Sequence, residues 1–331
     1  MTSPSDRPAR ATATSPGSGV PFQEYVRRQR AAVDAALERL LPSPPACPPL
    51  IAEAVRYSVF AGGKRLRPVL ALAAADAVTG GSLADDEAVM PAACAIEMIH
   101  TYSLIHDDLP AMDDDTQRRG RPTSHVVYGE GMAVLVGDGL LTEAFRVLAR
   151  HPCTSAPDVA ARKLRVLARV AEAAGAAGMV GGQVVDLEAA GQLSTARPRP
   201  AGAAAMDAAG LDAMHARKTG ALIRAAAVAG AVMAGAPDAA VAAVDAYAGH
   251  LGLAFQIVDD ILDVEGDPAT LGKTTGKDAA AGKPTYPGLN GLGASRRLAA
   301  EAIGRARASL AAAGLGGRLD DIADWVLHRS H

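Results

Sequence analysis

Long stretches of this chain place apolar residues three and four positions apart, and none shows the alternating pattern of a half-buried strand. This spacing keeps side chains on one face of a helix, so it predicts helices. Hydrophobic residues make up 49% of the chain but aromatic residues only 3%, which disfavours β-sandwiches and barrels. The predicted helices are residues 25–41, 50–60, 91–108, 131–149, 160–177, 206–234, 239–264, 294–313 and 319–329.

These helices are predicted to share one core. No linker separates two apolar regions, and the stretch 189–202, which contains proline and glycine, is interpreted as a surface loop. We therefore predict an all-α fold with a single domain over residues 21–331. Residues 1–20 are rich in Ser, Thr, Pro and Gly and are predicted to form a disordered tail. A short organellar transit peptide is the alternative interpretation, because two arginines accompany the serines.

Charge and cysteine content exclude several classes of function. The 33 basic and 36 acidic residues leave a net charge of −3, which gives no overall field for attracting nucleic acid or an anionic membrane. Apolar runs are interrupted before the ~20 residues that a membrane span needs. Cys47, Cys94 and Cys153 are scattered, which argues against disulfides and zinc. We predict a soluble, cytoplasmic protein that has no membrane span and does not bind nucleic acid.

An acidic cluster in the run DDLPAMDDD follows the apolar helix that begins near Pro91. Its members are Asp107, Asp108, Asp113, Asp114 and Asp115. Carboxylates crowded at a helix C-terminus repel one another and oppose the helix dipole, so the cluster costs stability unless a cation neutralises it. On its own, a solvated acidic turn explains this cluster equally well.

A second acidic cluster lies in FQIVDDILDVEGD, again at the end of an apolar helix. It contains Gln256, Asp259, Asp260 and Asp263. Asp259 and Asp263 are four residues apart, so both point from one helix face, and apolar neighbours make a fully solvated face a poor explanation. Two such clusters favour Mg²⁺ held by carboxylates together with substrate phosphate oxygens. The predicted ligand is a diphosphate or polyphosphate.

Basic residues fall into compact groups that suit such an anion. In GGKRLRP, two glycines free the backbone, lysine offers a point charge and arginine a planar fork for phosphate oxygens. An exposed turn with solvated charges is the alternative for this motif alone. The basic groups are Lys64, Arg65 and Arg67; Arg118, Arg119 and Arg121; and Lys218, Lys273, Lys277 and Lys283.

Two histidines lie close to the first acidic cluster. His100 precedes Asp107 by seven residues, or two helical turns, so both side chains face roughly the same direction. His106 is nearer in sequence, and its position on the helix predicts that it points elsewhere. A lone histidine in an apolar helix is also typical of a core residue, so spacing alone leaves the role of His100 open.

Taken in chain order, six segments resemble those of the trans-isoprenyl diphosphate synthases. They are GGKRLRP, HTYSLIHDDLPAMDDDTQRRGRPTSH, GDGLL, GGQVVDLE, KTGALI and FQIVDDILDVEGDPATLGKTTGKD. The resemblance covers residues 21–331. It implies antiparallel helices around a deep apolar cavity, a homodimer, and Mg²⁺-dependent condensation of an allylic diphosphate with isopentenyl diphosphate, with about three Mg²⁺ ions per active site.

The resemblance also implies roles for individual residues. The metal ligands would be Asp107, Asp108, Asp113, Asp259 and Asp263. Arg118, Lys218 and Lys283 would contact the allylic diphosphate, and Lys64, Arg67, His100 and Arg119 would bind the diphosphate of isopentenyl diphosphate. Lys273 would belong to a loop that closes the site. Gln183, Thr219 and Gln256 would line the cavity, where dipoles of Lys218, Thr219 and Gln256 offset the charge of an allylic cation.

Product length depends on how far the cavity descends beside the helix that ends in the first acidic cluster. Tyr102 lies five residues, about 7.5 Å, before Asp107, where an aromatic ring would form a floor, and Ser103 follows it. A tyrosine at this position resembles bacterial farnesyl diphosphate synthases. We therefore predict (E,E)-farnesyl diphosphate as the product, with geranylgeranyl diphosphate as the alternative.

Two further interpretations differ in chemistry. A class I terpene cyclase also uses Asp-rich helices and Mg²⁺, but it does not need the second diphosphate site that GGKRLRP and Arg119 suggest. A non-catalytic regulatory subunit of a prenyl synthase would tolerate the loss of an acidic motif, and both motifs are intact here.

Overall fold

The computed structural model describes residues 20–81, 87–193, 206–265 and 284–329. The first half of the chain forms α1 (Phe22–Leu40), α2 (Pro49–Val59), α3 (Leu66–Thr79), α4 (Met90–Asp107), β1 (Gln117–Arg118), β2 (Arg121–Pro122), α5 (Ser124–Tyr128), α6 (Glu130–Arg150) and α7 (Pro157–Ala174). The second half forms α8 (Met179–Ala189), α9 (Ala208–His215), a π-helical segment (Ala216–Gly220), α10 (Ala221–Met233), α11 (Asp238–Glu265), α12 (Tyr286–Asn290), α13 (Leu292–Ala311) and α14 (Arg318–His328). The all-α prediction is confirmed.

The helices surround a core in which α3, α4 and α10 are buried on nearly every side. Helices α3 and α10 are rich in alanine, whose small side chain lets helix backbones approach closely and raises helix propensity. Helix α10 packs against both α3 and α11, and the short turn between α10 and α11 makes them antiparallel neighbours. A second, smaller apolar cluster joins the end of α11 to α9, α12 and α13, and so supports the second acidic motif.

Four helices were not predicted from the sequence: the five-residue α5 and α12, which are too short to show periodicity, and the longer α3 and α8. Helix α3 directly follows GGKR and is buried all round, so it has no polar face to reveal a periodic pattern. Helix α8 carries Gly181 and Gly182 in its first turn, which lowers its intrinsic helix propensity. The predicted helix 206–234 is interrupted at Ala216–Gly220, where the backbone widens into a π-helical turn.

The described part of the chain contains one pair of strands, β1 and β2, which the sequence did not predict. They form an antiparallel hairpin in which Gln117 pairs with Pro122 and Arg118 with Arg121. Arg119 and Gly120 at the tip both have positive φ angles, 53° and 73°, as a two-residue hairpin turn requires. The hairpin therefore presents the arginines of RRGRP in fixed directions.

One described helix, α11, is long and apolar enough to cross a membrane by length and composition. Half of its apolar window is buried inside the protein, as expected for a core helix. Its C-terminal half also carries Asp259, Asp260 and Asp263, which a lipid-facing segment would not accommodate without a partner.

Candidate active site

A cavity of about 320 Å³ lies between α3, α4, α8 and the π-helical segment. Part of its lining is apolar, and the remainder carries charged and polar groups. The apolar side chains come mainly from α8. The polar ones come from the start of α3, the second half of α4, Gln183 of α8 and the π-helical segment. The lining residues are Arg67, His100, Tyr102, Ser103, Leu104, His106, Asp107, Met112, Met179, Val180, Gln183, Val184, Leu187, Lys218 and Thr219.

The first acidic motif is folded back onto the end of α4. The amide of Asp113 donates to the carbonyl of Asp107 at 2.9 Å, and the amide of Asp115 to that of Asp108 at 3.2 Å. This turn brings the Asp113 carboxylate toward Asp107. Burial raises the pKa of Asp107 to about 6, and the charges of Asp113 and Asp108 add to the increase, while Lys218 and Arg118 oppose it.

The carboxylate of Asp108 is engaged by an arginine of the hairpin. Asp108 is 4% exposed, and Nε of Arg118 donates to its two oxygens at 2.7 and 3.0 Å. Asp108 therefore fixes the direction of Arg118, and this pairing occupies part of its capacity to bind a cation.

The remaining carboxylates suit a hard divalent cation. Within the described ranges, no three Asp, Glu, His or Cys side chains already converge on one point. Asp107 and Asp113 nevertheless repel each other at the mouth of the cavity, and carboxylate oxygens are the ligands that Mg²⁺ prefers, completed by water and substrate phosphate. The donor set thus fits a cation whose coordination a diphosphate completes.

The three aspartates of the second motif have different surroundings. Asp259 accepts a charged hydrogen bond from Arg329 at 2.8 Å and is 38% exposed. Asp260 is buried and accepts from Gln256 Nε2 at 2.9 Å and from the amide of Tyr286 at 3.0 Å. Asp263 is 9% exposed. Asp260 thus links α11 to the start of α12. The more exposed carboxylate of Asp259 is one for which a cation could compete with Arg329.

The π-helical segment carries Lys218 and Thr219 into the cavity lining. The Cα of Gly182 on α8 lies so close to Lys218 that a Cβ there would be 2.3 Å from its backbone nitrogen, so glycine is required for this approach. Lys218 Nζ donates to Asp186 at 2.6 Å. The hydroxyl of Thr219 donates to Gln256 at 3.1 Å. Gln256 therefore reaches the cavity through Thr219.

The basic residues collect around His100. Burial lowers the pKa of His100 well below its ordinary value, and the charges of four arginines, led by Arg67 and Arg119, lower it further. Burial also lowers the pKa of Arg67 to about 10, and the Nε of Arg67 has no hydrogen-bond partner. Closely spaced cations around a cavity favour a multivalent anion. Lys64 completes this group and lies 5.6 Å from the ring of Trp325.

Arg65, two residues before Arg67, is a structural residue. Its guanidinium donates to Glu97 at 3.0 Å, to Asp34 at 2.9 Å and to the carbonyl of Val59 at 2.6 Å. Arg65 is 4% exposed and so fixes the GGKRLRP turn to α1, α2 and α4. Arg119 is joined to the same turn by a hydrogen bond to the carbonyl of Gly62.

Tyr102 and Ser103 both line the cavity, and their role in limiting its depth stays a prediction. His106 lines the same cavity, so the expectation that it points elsewhere is wrong. One helical turn separates it from Tyr102, and its ring packs edge-on against the tyrosine ring. Lys273, Lys277 and Lys283 lie outside the described residues.

Three residues that sequence reasoning left without a role lie in or beside the site: Asp186, Trp325 and Arg329. Asp186 stands in GGQVVDLE three residues after Gln183, one helical turn away, and this spacing could have revealed it. No local pattern in the sequence marks Trp325 or Arg329, because only the fold brings α14 to the second acidic motif.

An all-α fold in which the first acidic motif and the basic site line one cavity, and in which Asp259 of the second motif acts electrostatically on Arg67, is typical of an enzyme that joins prenyl diphosphates. The polyprenyl synthetase family model matches residues 48–313, and the chain belongs to this family. It is 42% identical over 311 residues to the farnesyl diphosphate synthase of Geobacillus stearothermophilus, covering 93% of this chain and 98% of that protein.

Relatives with other products and a solved structure are also similar. The chain is 47% identical to geranylgeranyl pyrophosphate synthase 9, chloroplastic, of Arabidopsis thaliana, over 85% of this chain and 74% of the relative. A crystal structure of an FPP/GFPP synthase from Zymomonas mobilis superposes with a TM-score of 0.76 at 33% identity, covering 92% and 98% of the two chains. The protein is a short-chain prenyltransferase that performs head-to-tail condensation, and its family uses divalent metal for catalysis.

Proposed function

We propose that this prenyltransferase makes (E,E)-farnesyl diphosphate from isopentenyl diphosphate and dimethylallyl or geranyl diphosphate. The observation that carries the product length is the placement of Tyr102, which lines the cavity and is 7% exposed. It lies five residues, about 7.5 Å, along α4 from Asp107. A chain growing from the acidic motifs into the cavity meets this ring after a few isoprene units.

The two diphosphates bind at chemically different groups. The allylic diphosphate lies at the acidic motifs, with Asp107, Asp113 and Asp259 as metal ligands. Further contributions come from Asp108, Asp263, Arg118, Lys218 and Lys283. The isopentenyl diphosphate binds at the basic site of Lys64, Arg67, His100 and Arg119, over which the segment containing Lys273 closes. The cation is Mg²⁺, with about three ions per active site once the allylic diphosphate is bound.

The chemistry follows from these charges. Mg²⁺, when bound, supplies Lewis-acid stabilisation to the departing diphosphate, and Lys218 and Arg118 add positive charge on the same side. The carbon–oxygen bond breaks, and the apolar side chains of α8 exclude water from the allylic cation. The oxygens of Thr219 and Gln256 and the backbone carbonyl of Lys218 offset its positive charge. The alkene then attacks, and the proton it loses passes to the released diphosphate.

The basic site and the intact motifs argue against the other two functions. A class I terpene cyclase ionises a single diphosphate, so it does not need the cations gathered around His100. A regulatory subunit does not need the acidic residues, and both acidic motifs are intact in this chain.

One assay tests the product. Purified protein is incubated with Mg²⁺, isopentenyl diphosphate and, separately, dimethylallyl, geranyl or farnesyl diphosphate, and the dephosphorylated products are separated by chromatography. We expect C15 from the first two substrates and little turnover of farnesyl diphosphate. Tyr102→Ala is expected to lengthen the product. A wild-type C20 product, or unchanged length in the variant, contradicts the assignment of Tyr102 as the floor.

We also propose a homodimer joined through α5 and α6. Exposed apolar side chains gather there: Val126 (50% exposed), Val127 (45%), Val134 (39%) and Leu135 (60%). A contiguous apolar surface of this kind is typical of an interface. Leu135→Glu is expected to convert the dimer to monomer in sedimentation velocity. A monomeric wild-type protein contradicts the proposal.

The remaining proposals concern boundaries and location. We propose that residues 21–331 form the catalytic domain, which is supported by the family match over 48–313, and that residues 1–20 are a tail outside it. We propose a cytoplasmic enzyme, in keeping with its scattered cysteines and balanced charge.

A further inference from the structure

His106 is a cavity residue that the chemistry above does not use. Its imidazole lies against the backbone of α6 at Gly137. A Cβ built on Gly137 would be 2.0 Å from Nε2 and 2.5 Å from Cδ2 of His106, so a side chain at this position would force the imidazole to move. Glycine in the middle of a helix is destabilising relative to alanine. The close approach of the histidine ring is therefore the reason for glycine at this position.

A hydrogen bond fixes the ring on α6. His106 Nε2 is 3.2 Å from the carbonyl oxygen of Val134. Because a carbonyl only accepts, the contact requires the proton on Nε2. Gly137 and Val134 are three residues apart on α6, so they form one shallow recess that receives the imidazole.

The other side of the imidazole contacts the proposed floor. The rings of Tyr102 and His106 are 5.6 Å apart between centroids and inclined at 79°, the edge-to-face arrangement that aromatic pairs favour. Tyr102 is thus supported through His106 by the backbone of α6. Tyr102 is in addition buried, so its ring can withdraw from the cavity only if the supporting imidazole moves.

We propose that His106 is a positioning residue that sets product length by holding the Tyr102 ring in the path of the growing chain. This inference rests on the proposed function, in which Tyr102 is the floor. Removing the imidazole leaves a space beside Tyr102 into which the phenol ring rotates, which deepens the cavity. Pushing the imidazole away from α6 moves the phenol ring the opposite way, into the cavity, which makes it shallower.

The first test removes the ring. His106→Ala, His106→Phe, Tyr102→Ala and the double variant are assayed with dimethylallyl and isopentenyl diphosphates. We expect His106→Ala to raise the C20:C15 ratio by about tenfold, comparable with the discrimination that one or two methylenes provide in an apolar pocket. His106→Phe keeps a ring against Tyr102 and is expected to retain the wild-type ratio.

The double variant shows whether His106 acts through Tyr102. If it does, adding His106→Ala to Tyr102→Ala leaves the product ratio of Tyr102→Ala unchanged. An unchanged ratio in His106→Ala, or independent lengthening in the double variant, overturns the proposal. Failure of the proposed function is separate, since it shows as a wild-type C20 product or as a Tyr102→Ala variant that makes only C15.

The second test leaves His106, which directly precedes the first acidic motif, unchanged and alters its neighbour on α6. Gly137→Ala places a methyl group where the imidazole lies and is expected to raise the C10:C15 ratio by about threefold or more. Gly139→Ala is the matched control, because a Cβ at that helical glycine meets nothing within 4 Å. A merely structural role for His106 predicts lower thermal stability of Gly137→Ala with an unchanged product ratio. That outcome, or a shift toward C20, contradicts the proposal, and this test decides the question if His106→Ala does not fold.

Discussion

The acidic end of α4 and the basic site around His100 line one cavity, but the first has an excess of negative charge and the second an excess of positive charge. At the acidic end, burial and neighbouring carboxylates raise the pKa of Asp107. At the basic site, burial lowers the pKa of both His100 and Arg67, and neighbouring arginines add to the decrease. In each region, like charges repel one another, and a ligand of opposite charge would reduce this repulsion. The first therefore suits a metal with its diphosphate, and the second a diphosphate without metal.

The largest expected effect is on turnover, and it comes from removing a carboxylate of either acidic motif. Asp107→Ala and Asp259→Ala are each expected to lower turnover by about 10³-fold or more, because charge developing on the leaving diphosphate loses its stabilisation. Steady-state rates at saturating Mg²⁺ measure this. Asp114→Asn, on an exposed neighbour in the same turn, is the control. Rates near wild type in either alanine variant contradict the metal role, provided circular dichroism shows a folded protein.

Breaking the basic side is expected to change affinity for only one substrate. Arg67→Gln removes a charge-assisted contact to isopentenyl diphosphate and is expected to raise KM for it by about 10²-fold. KM for geranyl diphosphate is expected to remain within about threefold. Arg28→Gln, on an exposed arginine of α1, controls for the loss of one charge. An equal rise in both KM values would mean that the two diphosphate sites are not distinct.

Arg65 and Arg67 sharpen the comparison, since they differ in role although only one residue separates them. Arg65→Met leaves Glu97 buried without its partner and is expected to cost about 3–5 kcal/mol of unfolding free energy. Arg67→Met removes a buried cation whose Nε lacks a partner, so stability should be retained while activity falls. Urea denaturation of both variants measures this. Equal stability losses would contradict the division of roles.

The smallest effect concerns the pH dependence of stability without metal. The folded pKa of Asp107, about 6, lies above its ordinary value of 3.8, so the folded state binds more protons between these values. The resulting stabilisation is complete below the ordinary pKa and is lost as the pH rises through about 6. In EDTA, we expect wild type to lose stability relative to Asp107→Asn between pH 4 and 7. A difference that does not vary with pH contradicts the burial of Asp107.

Helices with clear ends could be predicted from sequence, whereas contacts made by distant segments could not. Helix α4 was predicted to within a residue because Pro91 suits its first turn and Pro110 follows its end. Helix α3 lacks a polar face, so periodicity could not reveal it. The pairing of Asp108 with Arg118 depends on the β1–β2 hairpin, and the contact of His106 with Gly137 depends on how α4 meets α6. Several residues that motif order singled out, among them Arg67, His100 and Lys218, line the cavity, but motif order does not reveal which site residues are already paired.

The position of Trp325 has a practical consequence. It is the chain's single tryptophan, and its ring lies within cation–π distance of Lys64. All tryptophan emission from this enzyme therefore originates beside the proposed site for isopentenyl diphosphate. A ligand that draws the lysine away changes the environment of that indole alone, so the protein carries its own optical reporter of occupancy and needs no attached dye.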